Sequence, residues 1–389
     1  MFAFGKFPNS TSVERHSDSE MSPGYVHGNW CKYFLCFVLF IVGMMFIFDY
    51  SLKISTPSFT YIQRSEDIEA QPKRKDRKVR IAIVTVLKKM TDRVQYTTAM
   101  TTMECYSKRL NYTYVVTDSS THLHVCNQTQ VVFQRHCIVR FLFDKLDVDW
   151  ILMVDADIAV VNEKRRIEEF IDWSKDIIFY ERFFNFEITA GTYLAKNSEF
   201  TRNFLQGWAE FESRLPSSFH GKDQGALHAW MIELFAAKGK LYTKCIDFWN
   251  RSKSYTHLEK FTLCSREALK IADTSKVLIL KEGKGWCRDA WLTNSHWNPE
   301  TDFMFHAWKE VNKLRPENKK VGVLSGPEFY PWFNTLKTPL TKSQCLSGGD
   351  DWTHDADFIV PVSQLQAHLN QKLENVERSY QHLREQLKL

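Results

Sequence analysis

The stretch Trp150-Ile-Leu-Met-Val-Asp-Ala-Asp-Ile-Ala-Val-Val-Asn162 constrains this chain most, because an apolar run there presents two carboxylates, Asp155 and Asp157, one residue apart. A continuous apolar run of this length bounded by polar residues predicts a strand buried on both faces. Open α/β sheets contain such strands, and their ligands collect beyond the carboxyl ends. Paired carboxylates there suit a hard divalent cation carrying a diphosphate. The same Asp-x-Asp pattern also caps strands or starts turns, so by itself it leaves both readings open.

The flanking segments predict the sheet. Val79 to Leu87 is rich in β-branched residues, a helix-like segment follows through Lys108, and Tyr112 to Thr117 reads as a second strand. Gln134 to Leu146 has helical apolar spacing and leads into the Asp155 strand, so strands and helices alternate as in an α/β sheet with right-handed crossovers. Beyond it, Asp176 to Glu181 predicts a strand, and Asn197 to Leu215 and Gln224 to Ala237 predict helices. With 389 residues, 44% of them hydrophobic, the chain can bury one large core with appendages. A net charge of +5 spread along the chain gives no support to nucleic-acid binding.

Two appendages are expected at the N-terminus and one at the C-terminus. Tyr33 to Phe48 holds only apolar residues, Cys and Gly, and with Trp30 and Tyr50 at its ends it reads as a membrane anchor over 33–50. A cleaved signal peptide is the rival, disfavoured by the long polar segment before the run. A weak excess of basic residues ahead of the anchor points residues 1–32 to the cytosol. Residues 51–78, with Pro57, Pro72 and the basic run Lys73 to Lys78, read as a stem; a solvated linker explains that run as well as lipid headgroups would. Asn111, Asn127 and Asn250 begin N-x-[ST] sequons, which fit a luminal catalytic part over 79–360. Of nine cysteines, none forms a C-x-x-C pair, which argues against a zinc site. Two or three disulfides with one cysteine left over are expected in an oxidising lumen, with Cys245–Cys264 the preferred pair by proximity. Residues 361–389 predict an amphipathic helix through Leu369, Leu373, Val376, Tyr380, Leu383 and Leu387, packed on its own domain or, alternatively, forming a homodimeric coiled coil.

Four further segments bear on the carboxylate pair. Gly191 opens Gly191-Thr-Tyr-Leu-Ala-Lys and permits close backbone approach. Asp223 and Gln224 stand in a polar turn that feeds a helix, His306 and Lys309 lie three apart beside aromatic residues, and Arg135 and Arg140 share a helix that could face phosphates. Each has a structural reading as well: a turn glycine, a helix cap, a core histidine and a surface ion pair. Trp286, Trp291, Trp297, Trp308, Trp332 and Trp352 crowd the last third, most of them expected in the core and one or two in a sugar-stacking groove.

In order, Val-Asp155-Ala-Asp157, Ala190-Gly191-Thr-Tyr-Leu-Ala-Lys-Asn197-Ser, Asp223-Gln224-Gly-Ala and His306-Ala-Trp-Lys309 resemble glycosyltransferase family 34, which holds yeast Golgi galactosyl- and mannosyltransferases and plant xyloglucan xylosyltransferases. They resemble more closely still a nematode-expanded group of nucleotide-diphospho-sugar transferase-like proteins. The resemblance runs from about Val79 to Lys309. It implies a GT-A fold, a mixed α/β sheet flanked by helices, carried by a type II Golgi membrane protein with a luminal catalytic domain. It further implies a nucleoside-diphosphate sugar donor, a glycan acceptor, Mn²⁺ and retention of anomeric configuration. By the same resemblance, Asp155, Asp157 and His306 would hold the metal, Asp155 would also reach the ribose, and Thr85 and Val86 would line the base pocket. Gly191, Arg135 and Lys309 would attend the nucleotide, although Lys309 follows the histidine at a shorter interval than in that family. Asp223 and Gln224 would form the sugar and acceptor site. The alternatives are an inactive membrane-tethered sugar-binding protein on the same fold, and an aspartate-based phosphohydrolase; the second wants Thr where the chain has Ala159, and Gly349-Asp-Asp351 with Asp355 could imitate its distal acidic motif, though no buried strand precedes it.

Overall fold

The computed structural model describes residues 60–61, 78–327, 329–341, 345 and 352–389. The chain divides into two compact units, Met1–Thr56 and Pro57–Leu389, and the first lies outside the described residues together with the expected tail and membrane anchor. Among the described residues no helix is long and apolar enough to cross a membrane. Most of the expected stem is likewise outside them, but Thr60–Tyr61 (β1) pairs antiparallel with Thr113–Asp118 (β3), so this part of the stem edges the sheet.

The main sheet is mixed, as expected. Its strands are β1, β3, Ile81–Leu87 (β2), Trp150–Val154 (β4), Thr192–Lys196 (β7), Ile177–Tyr180 (β6) and Val277–Leu280 (β8), adjacent in that order. Strand β2 is parallel to β3 and β4, β7 is antiparallel to both β4 and β6, and β6 is parallel to β8. The side-chain period of two explains why β2 and β4 read as unbroken apolar runs. Ala82 and Val84 enter one core with helix residues such as Phe133, Ile138, Leu205 and Phe261. Ile81 and Ile83 enter another with Met100, Met103, Tyr106 and Trp286.

Helices cover both faces: Thr97–Leu110 (α1), Val131–Leu142 (α2), Glu199–Glu210 (α3), Lys222–Phe235 (α4), Lys240–Asn250 (α5), Tyr255–Lys270 (α6) and Val362–Leu387 (α7). Local chemistry sets their ends. Ser198 caps α3 by accepting from the Thr201 N–H, and Ser254 caps α6 by accepting from His257. The segment expected as one helix to Leu215 tightens to a 3₁₀ turn over Phe211–Arg214, because Leu215 must be extended before Pro216. Helix α1 stops at Asn111, whose φ of 56° is the left-handed conformation that Asn tolerates. Apolar α7 positions serve its own domain: Leu365 and Leu369 are buried with Leu292 and Phe183, and the Tyr380 hydroxyl donates to Glu267 at 2.6 Å.

The Trp150–Asn162 run is not one strand. It breaks after Val154, turns through Asp155 to Ile158, and resumes as Ala159–Val160 (β5) in a second sheet with Met304–His306 (β10) and Cys287–Asp289 (β9). The two carboxylates therefore sit in a turn between sheets rather than along a strand, because the run supplies a buried strand to each sheet in succession.

Disulfides link Cys105–Cys345, Cys126–Cys137 and Cys245–Cys264, the last being the expected pair, and leave Cys287 as the free cysteine among the described residues. Closing a loop of this length with Cys245–Cys264 contributes about 3 kcal/mol through the unfolded state. Cys245→Ala/Cys264→Ala is thus expected to lose about that much stability in a urea unfolding titration while keeping the native circular dichroism spectrum.

Candidate active site

Strand registers assemble the site. Val154 pairs with Thr192, so the next residue of each strand, Asp155 and Gly191, face one another, and the Asp155 N–H donates to the Gly191 carbonyl at 2.9 Å. A Cβ at Gly191 would fall 2.5 Å from Asp155 Oδ2, so a larger residue here would push that carboxylate out of its place. On the other side of the turn, β5 runs antiparallel to β10 with Ala159 opposite Phe305, which carries His306 back toward Asp157. His306 Nε2 lies 3.5 Å from Asp157 Oδ1. Strand β10 in turn pairs with β9 so that His306 meets Asp289, and its Nδ1 lies 2.7 Å from Asp289 Oδ1.

Ligand atoms of Asp155, Asp157 and His306 all fall within 4.8 Å of one another. Two carboxylates and one imidazole are a fitting donor set for a divalent cation, and Asp289 orients the ring as carboxylates do for metal-binding histidines. Charge agrees with geometry. Desolvation is the main influence raising the Asp155 carboxyl above its ordinary range; Arg135 opposes it, and repulsion from Asp157 adds to it. Repulsion between two such carboxylates held together is what a divalent cation bound between them would relieve. Burial pulls the His306 imidazole down, but attraction to Asp157 and Asp289 outweighs it and holds the ring above its ordinary value. Asp289 itself, despite burial, is held down to about 2 by Arg182 and His306.

A second network adjoins the first. Arg135, on α2, donates to Asp155 Oδ1, to the Ala190 carbonyl at 3.1 Å and to Asp223 Oδ2 at 2.5 Å. It bridges the carboxylates of two segments instead of standing free for a phosphate. Asp223 lies in the first turn of α4, where the helix dipole favours an anion. Burial raises its carboxyl, but Arg135 and His136 outweigh that and keep it below the ordinary range, hence ionised. His136 stacks on Trp208 with ring centres 3.5 Å apart and accepts or donates with the Tyr193 hydroxyl; burial pushes it down to about 4, so it is neutral at pH 7.

A cavity of about 990 Å³ opens over this turn, lined among others by Val86, Arg135, Asp155, Asp157, Gly191, Asp223, Gln224, His306 and Lys309. Thr85 is not among the lining residues: it is buried, and its hydroxyl bonds that of Tyr114 at 3.3 Å. Gln224 lines the cavity, but its amide is committed to backbone, accepting from the Ala190 N–H at 3.0 Å and donating to the Ile188 carbonyl, so it shapes the approach to Gly191. Lys309 Nζ lies 3.7 Å from Asp157 Oδ2 at the cavity wall. Arg140 stays on the surface with Asp144 at 3.4 Å. Of the six late tryptophans, Trp291 lines the cavity, whereas Trp286, Trp297, Trp308 and Trp332 are core residues. Cys287 also lines it, but burial pushes its thiol well up, which suits it poorly as a nucleophile.

Sequence reasoning missed Asp289, Arg182 and His136. No spacing marks Asp289, since its partner His306 reaches it only through strand pairing. His136 adjoins Arg135, so the helix that carries one carries the other, yet the ring's burial against Trp208 is a tertiary fact.

A family described as "Protein of unknown function, DUF273" matches residues 103–323, more than half of the chain. The chain belongs to that DUF273 family. The DUF273 segment contains Arg135, Asp155, Asp157, Gly191, Asp223 and His306. The resemblance to glycosyltransferase family 34 accordingly stays with the motifs that carry it. No curated protein sequence matches significantly. Solved structures similar to the chain include a glycosyltransferase involved in glycosylation of the major capsid of PBCV-1, with TM-score 0.34 and 15% identity over 58% of this chain and 94% of that one. Another is the apo-form glycosyltransferase GlyE of Streptococcus pneumoniae TIGR4, with TM-score 0.31 and 14% identity over 42% of this chain and 46% of that one.

Replacing Asp289 by Asn would leave the shape of the site but remove the charge that orients His306. Asp289→Asn is expected to weaken Mn²⁺ binding about 10–100-fold in a calorimetric titration, with the fold retained by circular dichroism.

Proposed function

We propose that this protein is a divalent cation-dependent glycosyltransferase that moves a sugar from a nucleoside-diphosphate donor to a glycan acceptor in the Golgi lumen. The observation that carries the reading is the Asp155, Asp157 and His306 cluster at the carboxyl end of β4, set on the wall of a cavity large enough for a ligand of that size. Asp155, Asp157 and His306 would hold the cation, and an oxygen-rich set with one imidazole suits Mn²⁺. Bound there, it would offset charge on the departing diphosphate.

The chain's own residues supply the rest. Lys309 adds a positive charge at the same wall. Asp223, held ionised by Arg135 and His136, gives the cavity a fixed negative charge that can offset positive charge developing at the sugar carbon. Gln224 keeps the Ile188–Ala190 backbone in place, and through it the close approach of Gly191 to Asp155. The phosphohydrolase alternative has less support: Asp355, a residue that could imitate its distal acidic motif, is bonded to Lys319 at 2.6 Å and does not line the cavity.

Three disulfides support an oxidising compartment. The sequon residues Asn111, Asn127 and Asn250 are all exposed, as glycosylated asparagines must be. The type II membrane topology is proposed from the Tyr33–Phe48 run, the basic residues ahead of it and the sequons after it.

With UDP- and GDP-sugars as a panel, the full chain is expected to release nucleotide only when Mn²⁺ is present, and Asp157→Ala to lower that rate at least about a hundredfold. Phosphate release from monoesters without nucleotide release would overturn the reading, and Mn²⁺-dependent nucleotide binding without transfer to any glycan would favour the inactive sugar-binding alternative. Expressed through the secretory route, the chain is expected to shift to lower mass on treatment with an N-glycosidase, and Asn111→Gln/Asn127→Gln/Asn250→Gln to abolish the shift.

A further inference from the structure

Sheet order gives the cavity two ends. From the Asp155 turn, β2 lies on one side of β4, and β6 lies on the other, beyond β7. Val86 to Lys88, at the carboxyl end of β2, line one end, and Arg182 to Asn185, following β6, line the other.

The β6 end carries a row of aromatic rings. Trp291 lies 5.0 Å from Phe184 and 5.0 Å from Phe329 between ring centres, and Phe329 lies 6.2 Å from Tyr330. Trp291 is buried and anchors the row, whereas Phe329 and Tyr330 are 50% and 54% exposed. Both exposed residues have left-handed backbone, with φ of 63° and 76°. Bulky side chains rarely adopt that conformation, and leaving two such rings in water forgoes the burial that would stabilise the fold. Strain of this kind clusters at ligand sites.

The surroundings select the occupant. Glu187 and Glu259 line this end together with the aromatic rings, and Arg182 is taken up by Asp289 and Glu187 at 3.4 and 3.3 Å. A lipid chain would take the Glu259 carboxylate, and the Glu187–Arg182 pair beside it, out of water with nothing polar to replace it. An anionic group would meet their repulsion. A neutral pyranose ring matches both features, since one face is apolar C–H and the edge carries hydroxyls that can donate to carboxylates.

We propose that Phe184, Trp291, Phe329 and Tyr330 form the acceptor subsite, which stacks a neutral pyranose ring of the acceptor glycan. The inference rests on the transferase reading and assigns the acceptor to the β6 end.

The test uses the full chain with Mn²⁺ and UDP or GDP present, and methyl glycosides of glucose, galactose, mannose, xylose and N-acetylglucosamine as probes, read by saturation-transfer NMR. At least one glycoside is expected to bind with transfer concentrated on the C–H protons of one ring face. Phe329→Ala and Tyr330→Ala are expected to weaken it roughly fivefold to tenfold, and Tyr330→Phe, which keeps the ring, to bind as the parent does. Calorimetric affinity for Mn²⁺ with nucleoside diphosphate should be unchanged in all three. Glycoside binding that survives both alanine variants, or no glycoside binding while Mn²⁺ and nucleoside diphosphate still bind, overturns the subsite and leaves the transferase reading standing. Failure of Mn²⁺ and nucleoside diphosphate to bind overturns both.

Discussion

The guanidinium of Arg135 lies between Asp155 and Asp223, and the rest of the site depends on that bridge. It brings α2, the turn after β4 and the first turn of α4 to one point. The buried Asp223 carboxylate would be costly alone, and removing the partner of a buried charge costs about 3–5 kcal/mol. Arg135 compensates both carboxylates at once and also donates to the Ala190 carbonyl beside Gly191. Neutral His136 completes the arrangement by approaching Asp223 to 3.5 Å without adding a second buried charge. Asp223 thereby stays ionised in a place where desolvation alone would protonate it.

The second constraint is the meeting of two sheets at the Asp155–Ile158 turn. The main sheet supplies a rigid carboxyl end of β4, buried on both faces. The small sheet supplies His306, and behind it Asp289 and Arg182, in a relay of alternating charge. Because each carboxylate of the pair is tied to a different sheet, the spacing of the cation donors is set by two independent hydrogen-bonded registers rather than by a flexible loop. Preorganisation of that kind is what an electrostatic site needs, since donors already in place cost no reorganisation when charge develops.

Much of the fold was legible in the chain. The apolar runs of β2 and β4, the helical spacing of α2 and the amphipathic stripe of α7 are local patterns whose physical cause lies within a few residues. The site was legible only as candidates. Asp155, Asp157, Gly191, Asp223 and His306 stood out by type and order, but Gln224 and Thr85 also stood out, and their side chains are spent on backbone and on Tyr114. Arg135 was visible as a cation and not as a bridge, because nothing within its helix shows which carboxylates it will meet.

By itself, the sequence determined where the buried strands lie, that two carboxylates follow one of them, and that a glycine opens another. These follow from hydrophobic periodicity and backbone sterics, which act locally. Tertiary structure alone decided that the Trp150–Asn162 run serves two sheets, that His306 returns to Asp157 with Asp289 behind it, and that Phe329 and Tyr330 join Trp291 at the far end of the cavity. Those outcomes depend on register and packing between segments far apart in the chain, and no local pattern carries that information.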